Sequence, residues 1–329
     1  MSSLQQAIGQ SQHRSTLSRL RSHQVFWVFV AAVIACVALS LSTDAFATER
    51  NLFNVTRNFA FVGIIAIGMT TVIASGGIDL SVGSVVVLSA MVISVLMEGG
   101  SPFWIAAPAA LLVAMAVGAL NGVLIAYAGM PPFVITLGML SAARSAAMVL
   151  SNNKMIYNFG PDHDLLLWVG GGSTLGLPHP LYMLIALAGL MAFVYRWTRW
   201  GQYVFAIGSN EQAATLTGIA VKPIKVSIYM FSSLTAGVAG ILMAGWLGSV
   251  TTNLGNAMEL TVIAAAVIGG ANLNGGEGSP LGAVVGALLI EVIRNSLILL
   301  GISTFWQGMF IGTFIVVAVS FDRIRHMQR

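Results

Sequence analysis

The side chains that could do chemistry in this chain are few and widely spaced. Glu291 and Arg294 stand three residues apart inside a long apolar run, a spacing that puts them on one helical face as an intramembrane ion pair. Asp79, Asn121, Arg144, Asn272 and Asn274 are polar or ionisable groups within, or at the ends of, other apolar runs. Such groups are costly in hydrocarbon, so each is a candidate for lining a translocation path. Each also has a structural reading: Asp79 as an N-cap, Asn272 as a helix end, Arg144 as a side chain reaching to the interface. Asp162-His163-Asp164 carries the right atoms for a cation, but after Gly160-Pro161 it reads as a solvated turn, and no metal site is expected.

The common catalytic signatures are missing. Each lysine follows a residue other than glycine (Asn153-Lys154, Val221-Lys222, Ile224-Lys225), so a G-x-x-x-x-G-K-[ST] phosphate loop cannot occur. There is no G-x-S-x-G elbow and no H-E-x-x-H pair, so no catalytic residue is assigned and no cofactor is expected on this chain. Cys36 is the single cysteine, which excludes an intrachain disulfide.

The elements that hold these residues follow from composition. Of 329 residues, 57% are apolar and 8% charged, against about 25% charged in soluble proteins, and 36 are glycine. The chain reads as an all-α polytopic membrane protein. A net charge of +4 is too small to argue for nucleic acid. Apolar runs of about spanning length predict helices near 25–42, 58–75, 80–97, 103–128, 132–150, 180–197, 225–248, 259–271, 280–300 and 303–321. The eighth is short, and glycine-rich junctions flank the third and the eighth. Ala45-Phe46-Ala47 resembles a signal-peptidase site, but the polar stretch before the first run and the length of that run favour a retained span.

Threading ten spans collects Arg14, Arg19, Arg21, Arg196, Arg199, Lys222, Lys225, Arg323, Arg325 and Arg329 on one side, and Arg50, Arg57 and Lys154 on the other. The positive-inside rule then predicts cytoplasmic termini. Residues 1–24 and 322–329 become cytoplasmic tails around a transmembrane domain at 25–321, with an outward loop at 151–179 and a cytoplasmic segment at 198–224. Within that segment Ser209 with Gln212 fits a capping box, Glu211 sits in the first turn and Gly218 fits a C-terminal stop. A short helix results, whose Ala213, Ala214, Leu216 and Ile219 offer a docking surface.

The junctions SGGIDLSVGS (75–84) and GGANLNGGEGSP (269–280) share Gly-Gly-x-(Asp/Asn)-Leu-(Ser/Asn). Broken backbone at membrane depth often lines a transport route. Small residues four apart (Gly118 and Gly122, Ala236 and Gly240, Gly282 and Gly286, Gly308 and Gly312) permit close helix approach, within the chain or against a second copy.

Four blocks resemble one family in order and spacing: GMTTVIASGGIDLSVGSVV (68–86), NGVLIAYAGMPPFVITLGML (121–140), GQYVFAIGSNEQAATLTGIAVKPIK (201–225) and GGANLNGGEGSPLGAVVGALLI (269–290). The chain is similar to the permease subunits of ribose-type sugar ABC importers, whose branches include galactose, xylose, inositol and autoinducer-2. That resemblance implies a bacterial inner-membrane subunit that pairs with a second permease copy or paralogue. It also implies sugar delivery by a periplasmic binding protein and power from a separate cytoplasmic ATPase. Gly208, Ser209, Asn210, Glu211, Ala213, Ala214, Leu216 and Gly218 match the segment that meets that ATPase. Met130, Ser145, Asn272 and Asn274 depart from the usual family residues, and the two asparagines leave the identity of the sugar open. Two other readings stand beside it: a partner-independent secondary carrier, and a branched-chain amino-acid ABC permease.

Overall fold

The structure is a computed structural model that describes residues 24–303 together with 306, 308, 309, 312 and 313. Among these residues it is a helical bundle: α1 Gln24–Ser42, α2 Glu49–Ala74, α3 Val82–Glu98, α4 Phe103–Ala126, α5 Pro132–Leu150, α6 His163–Gly171, α7 His179–Trp197, α8 Arg199–Ser209, α9 Glu211–Leu216, α10 Val221–Leu247, α11 Met258–Ile268 and α12 Pro280–Leu299. A two-residue hairpin, β1 Ser173–Thr174 with β2 Leu177–Pro178, is the only sheet among them. Seven helices (α1, α2, α4, α5, α7, α10 and α12) are long and apolar enough to cross a membrane, by length and composition. The expected spans near 80–97 and 259–271 are the shorter α3 and α11, and the expected span at 303–321 lies almost wholly outside the described residues, as do both tails.

Two helices form the centre. Every residue of α2 from Ala60 to Ala74 is buried, and α2 is walled by α7, α10, α11 and α12. α10 packs against α2, α3, α4 and α6. Close approach is what the small residues provide. A Cβ at Gly118 or Gly122 of α4 would overlap the α10 backbone at Tyr229 and Met230 or at Val226. One at Gly240 of α10 would overlap Val86, and ones at Gly282 and Gly286 of α12 would overlap Gly269 and Ala265. Three of the four small-residue pairs are therefore used inside the chain, where dispersion and Cα–H···O contacts replace the absent hydrophobic drive.

The 151–179 loop is largely structured. Its α6 seats Leu166 at zero exposure and presses Gly170 onto the Leu242 carbonyl and Gly245 of α10. Asp162, expected in a solvated turn, instead accepts the Phe103 N–H at 2.8 Å and so caps the start of α4 from a distance. Residues 156 and 250 pair as an isolated antiparallel bridge that ties this loop to the segment after α10. The bundle therefore has a loop end, where these segments meet, and a junction end, where both glycine-rich breaks lie.

Candidate functional site

At the junction end, residues 199–216 are two helices rather than one. Thr198 caps α8 through Gly201 N–H, and Asn210 caps α9 by accepting from Ala213 N–H at 2.9 Å. Ser209, expected as the cap of a capping box, is the last residue of α8. The reason is packing: Gly208 lies so close to the Ala74 carbonyl and to the Gly275–Gly276 backbone that the chain continues helically to Ser209 before it turns. The C-terminal stop is a Schellman motif, with Gly218 at φ +84°, its N–H bonded to Thr215 O at 3.0 Å and Ile219 N–H bonded to Ala214 O at 3.1 Å. Glu211 is pinned to Lys225 of α10 at 2.6 Å. Ala214 is buried against Ile207 and Val221, so it anchors α9 and offers nothing outward. Ala213 is exposed, and Leu216 is 88% exposed at the tip.

This pair of helices touches both glycine-rich breaks. Gly276 N–H donates to Ala74 O at 2.9 Å, which joins the end of α2 to the 269–280 junction, and Gly208 closes over that joint. Asn272, expected to end the eighth span, lies four residues past the end of α11 and makes a turn by accepting Asn274 N–H at 2.9 Å. Asn274 is exposed there.

Asp79 and Asn121 come together elsewhere, in a buried polar knot. Asp79 Oδ1 accepts from Ser81 N–H at 3.0 Å and Ser81 Oγ at 2.6 Å, and Oδ2 accepts from Ser232 Oγ of α10 at 2.9 Å. Asn121 Nδ2 donates to Ser81 Oγ at 3.0 Å. Asp79, Ser81, Asn121 and Ser232 all have zero exposure. The residue at the N-cap of α3 is Ser81, without a side-chain cap bond, so Asp79 braces the break instead of capping the helix. Ser81 is the last position of the motif shared by the two glycine-rich junctions, whereas Ser232, 153 residues from Asp79, is marked by neither charge nor spacing.

Arg144 belongs to a third place. From α5 its Nη1 donates to Thr252 O at 2.9 Å and Leu254 O at 3.4 Å, carbonyls of the non-helical stretch 248–257. Glu291 accepts from Asn58 of α2 at 3.1 Å and pairs with Arg294 at 3.7 Å, while Asn295 and Asn51 exchange two bonds at 2.8 and 3.1 Å. These contacts bind α12 to α2 within one chain. Arg57 of α2 lies over the Trp246 ring at 4.3 Å, a further tie that spacing alone did not reveal.

α5 rests on its neighbours through Thr136, Ala143 and Ala147, and leaves the small residues Gly138, Ser141, Ala142 and Ser145 exposed along one side. A fold of this kind, with many apolar helices, broken helices at one end and a two-helix handle touching both breaks, is that of an all-α membrane protein. The family profile described as "Branched-chain amino acid transport system / permease component" matches residues 51–319, and the chain belongs to that family. It is 35% identical over 294 residues to the ribose import permease protein RbsC of Escherichia coli K12, covering 89% of this chain and 92% of that one. It is 35% identical over 300 residues to RbsC of Bacillus subtilis, covering 90% and 91%. Against the D-allose transport system permease protein AlsC of E. coli K12 it is 33% identical over 306 residues, covering 91% and 93%. No solved structure matches.

Proposed function

We propose that the chain is a permease subunit of an ABC importer in the bacterial inner membrane, forming with a second permease copy or paralogue the path for a sugar or small polyol. The names of the ribose and D-allose relatives support the solute class. ATP is hydrolysed on a separate cytoplasmic subunit, and a periplasmic binding protein delivers the solute. The junction end faces the cytoplasm and the loop end the periplasm, in keeping with the distribution of arginine and lysine.

The observation that carries the reading is the seat of Gly208 on Ala74, Gly275 and Gly276. An ATPase that grips exposed Leu216 and Ala213 moves α8 and α9 as a lever, and both glycine-rich breaks move with it. The exposed small-residue face of α5, with Gly138, Ser141 and Ser145, packs toward the path and the second permease, since small residues permit close helix approach. Closure of the ATPase shifts the population between outward-open and inward-open arrangements.

The test is purification of the tagged importer from native membranes with Leu216→Asp. The variant is expected to insert and stay folded, because Leu216 is 88% exposed, but to lose the ATP-binding partner and solute uptake. Retention of the ATPase at wild-type stoichiometry would sink the lever. A branched-chain amino acid is the rival solute, favoured by the family description, and uptake of labelled leucine in preference to sugars would establish it. A partner-independent carrier is favoured by the short helices α3 and α11, and ATP-free transport by the purified chain alone would establish that instead.

A further inference from the structure

At the loop end, α6, the hairpin and α7 enclose a groove of about 390 Å³ whose walls include Trp168, Thr174, His179, Tyr182, Met183 and, from α10, Leu242. Its rim spends its polar atoms on itself. His179 Nδ1–H donates to the Trp168 carbonyl at 2.7 Å, and Nε2 pairs with Thr174 Oγ1 at 2.8 Å. The Tyr182 hydroxyl donates to the Thr174 carbonyl at 2.8 Å, and the Trp168 and His179 rings meet edge to face at 4.5 Å. What remains for an occupant is hydrocarbon, sulfur and ring surface, which suits an aliphatic chain and leaves the hydroxyls of a sugar short of partners.

The groove opens on the outer side of the bundle. α7 buries Leu184, Ala188 and Met191, and exposes Met183, Ile185, Leu190 and Phe193 in an apolar strip. From Tyr182 to Trp197 that strip runs about 22 Å, with an aromatic side chain at each end as at the two surfaces of a bilayer. Met183 lies one turn into α7, and Leu242 about 7 Å before the end of α10, so the groove sits just inside the hydrocarbon. α6 descends to this level: a Cβ at Gly248, just past α10, would touch Leu167, whereas one at Gly170 would overlap the Leu242 carbonyl. Asp164 is exposed one turn before Trp168, on the same face of α6 and nearer the water. Among the described residues the ion pairs within 4.0 Å are Lys225–Glu211 and Arg294–Glu291, so Asp164 has no cation at contact distance among them.

We propose that this groove binds one phospholipid from the leaflet at the loop end, with an acyl chain between α6 and α7 and an ammonium headgroup at Asp164. Phosphatidylethanolamine has that chemistry. Its amine supplies the positive charge that Asp164 lacks, whereas no lysine or arginine lines the groove to hold an anionic headgroup. The bound chain braces α6 and the hairpin against α7. The site lies on the bilayer side of the molecule, so it does not depend on which solute the protein carries.

The test uses the full-length protein, purified in mild detergent with its accompanying subunits and delipidated. Dioleoyl phosphatidylethanolamine and dioleoyl phosphatidylglycerol are the probes, and native mass spectrometry reads their binding. The wild type is expected to bind phosphatidylethanolamine at least fivefold more tightly than phosphatidylglycerol. Met183→Trp, at a position 45% exposed and so tolerant of bulk, fills the groove and should weaken that binding at least fivefold. Asp164→Asn should still bind lipid but lose the preference between headgroups. A wild type without the preference, a Met183→Trp variant that binds as the wild type does, or an Asp164→Asn variant that keeps the preference overturns the site. In a Cys36→Ser background, self-cross-linking of Met183→Cys in native membranes would assign the groove to a second copy of the chain and overturn it equally.

Discussion

Asp79 shows how much a single side chain can decide in a membrane interior. Its carboxyl satisfies three donors from the break itself and from α10, so its loss leaves Ser81 N–H, Ser81 Oγ and Ser232 Oγ without that acceptor among residues of zero exposure. Each orphaned buried group costs about 1–3 kcal/mol, so Asp79→Ala is expected to lower the thermal midpoint of the detergent-purified protein strongly. Asp79→Asn keeps one acceptor oxygen and should lose clearly less; equal losses for the two variants would show that the bonds are not what matters. Asn210 is a simpler case. Its side chain caps a six-residue helix, and Asn210→Ala should loosen α9 by about 1 kcal/mol, read as faster amide exchange at Ala213 with the rest of the bundle unchanged.

At the scale of elements, the glycine joint is the most demanding feature. A methyl group at Gly208 would occupy the space of the Ala74 carbonyl, which is backbone and cannot step aside. Gly208→Ala is therefore expected to separate α8 from α2 and to uncouple ATP hydrolysis from uptake, measured as hydrolysis that continues while transport falls; preserved coupling would mean the joint is slack. The apolar runs were legible from the sequence because hydrocarbon imposes length and composition on each span. The joint was only half legible. Both glycine-rich breaks and the helix that stops before Gly218 are marked by residue type, but that Gly208 touches both breaks depends on how α2, α8 and the 269–280 segment come together. The close approach of α3 and α11, where a Cβ at Gly83 would overlap the Gly255 carbonyl and Glu259, was less legible still, because neither Gly83 nor Glu259 is marked by residue type. Ser81 reaches Asp79 locally, two residues on, whereas Ser232 does so only once α10 packs against the break.

At the scale of the molecule, burial is distributed unevenly. α1 and α5 turn most of their length to the outside, whereas α2 is enclosed by helices that come much later in the chain. The polar residues of α2 depend on this enclosure: Asn51 bonds Asn295, Arg57 lies over Trp246, and Asn58 bonds Glu291. Asn58 and Glu291 are 233 residues apart, so at roughly 5–20 residues per second a ribosome needs about 12–47 s between making the one and the other. For that interval a newly inserted α2 sits in lipid or beside the insertion machinery with Asn51 and Asn58 unmatched and Arg57 held only within its own helix, by Asn54. A nascent chain stopped before α12 should therefore keep α2 cross-linkable to the insertion machinery, and release of α2 should require residues 280–299. Quality control of this protein would then act on its second helix while the last of its partners is still being synthesised.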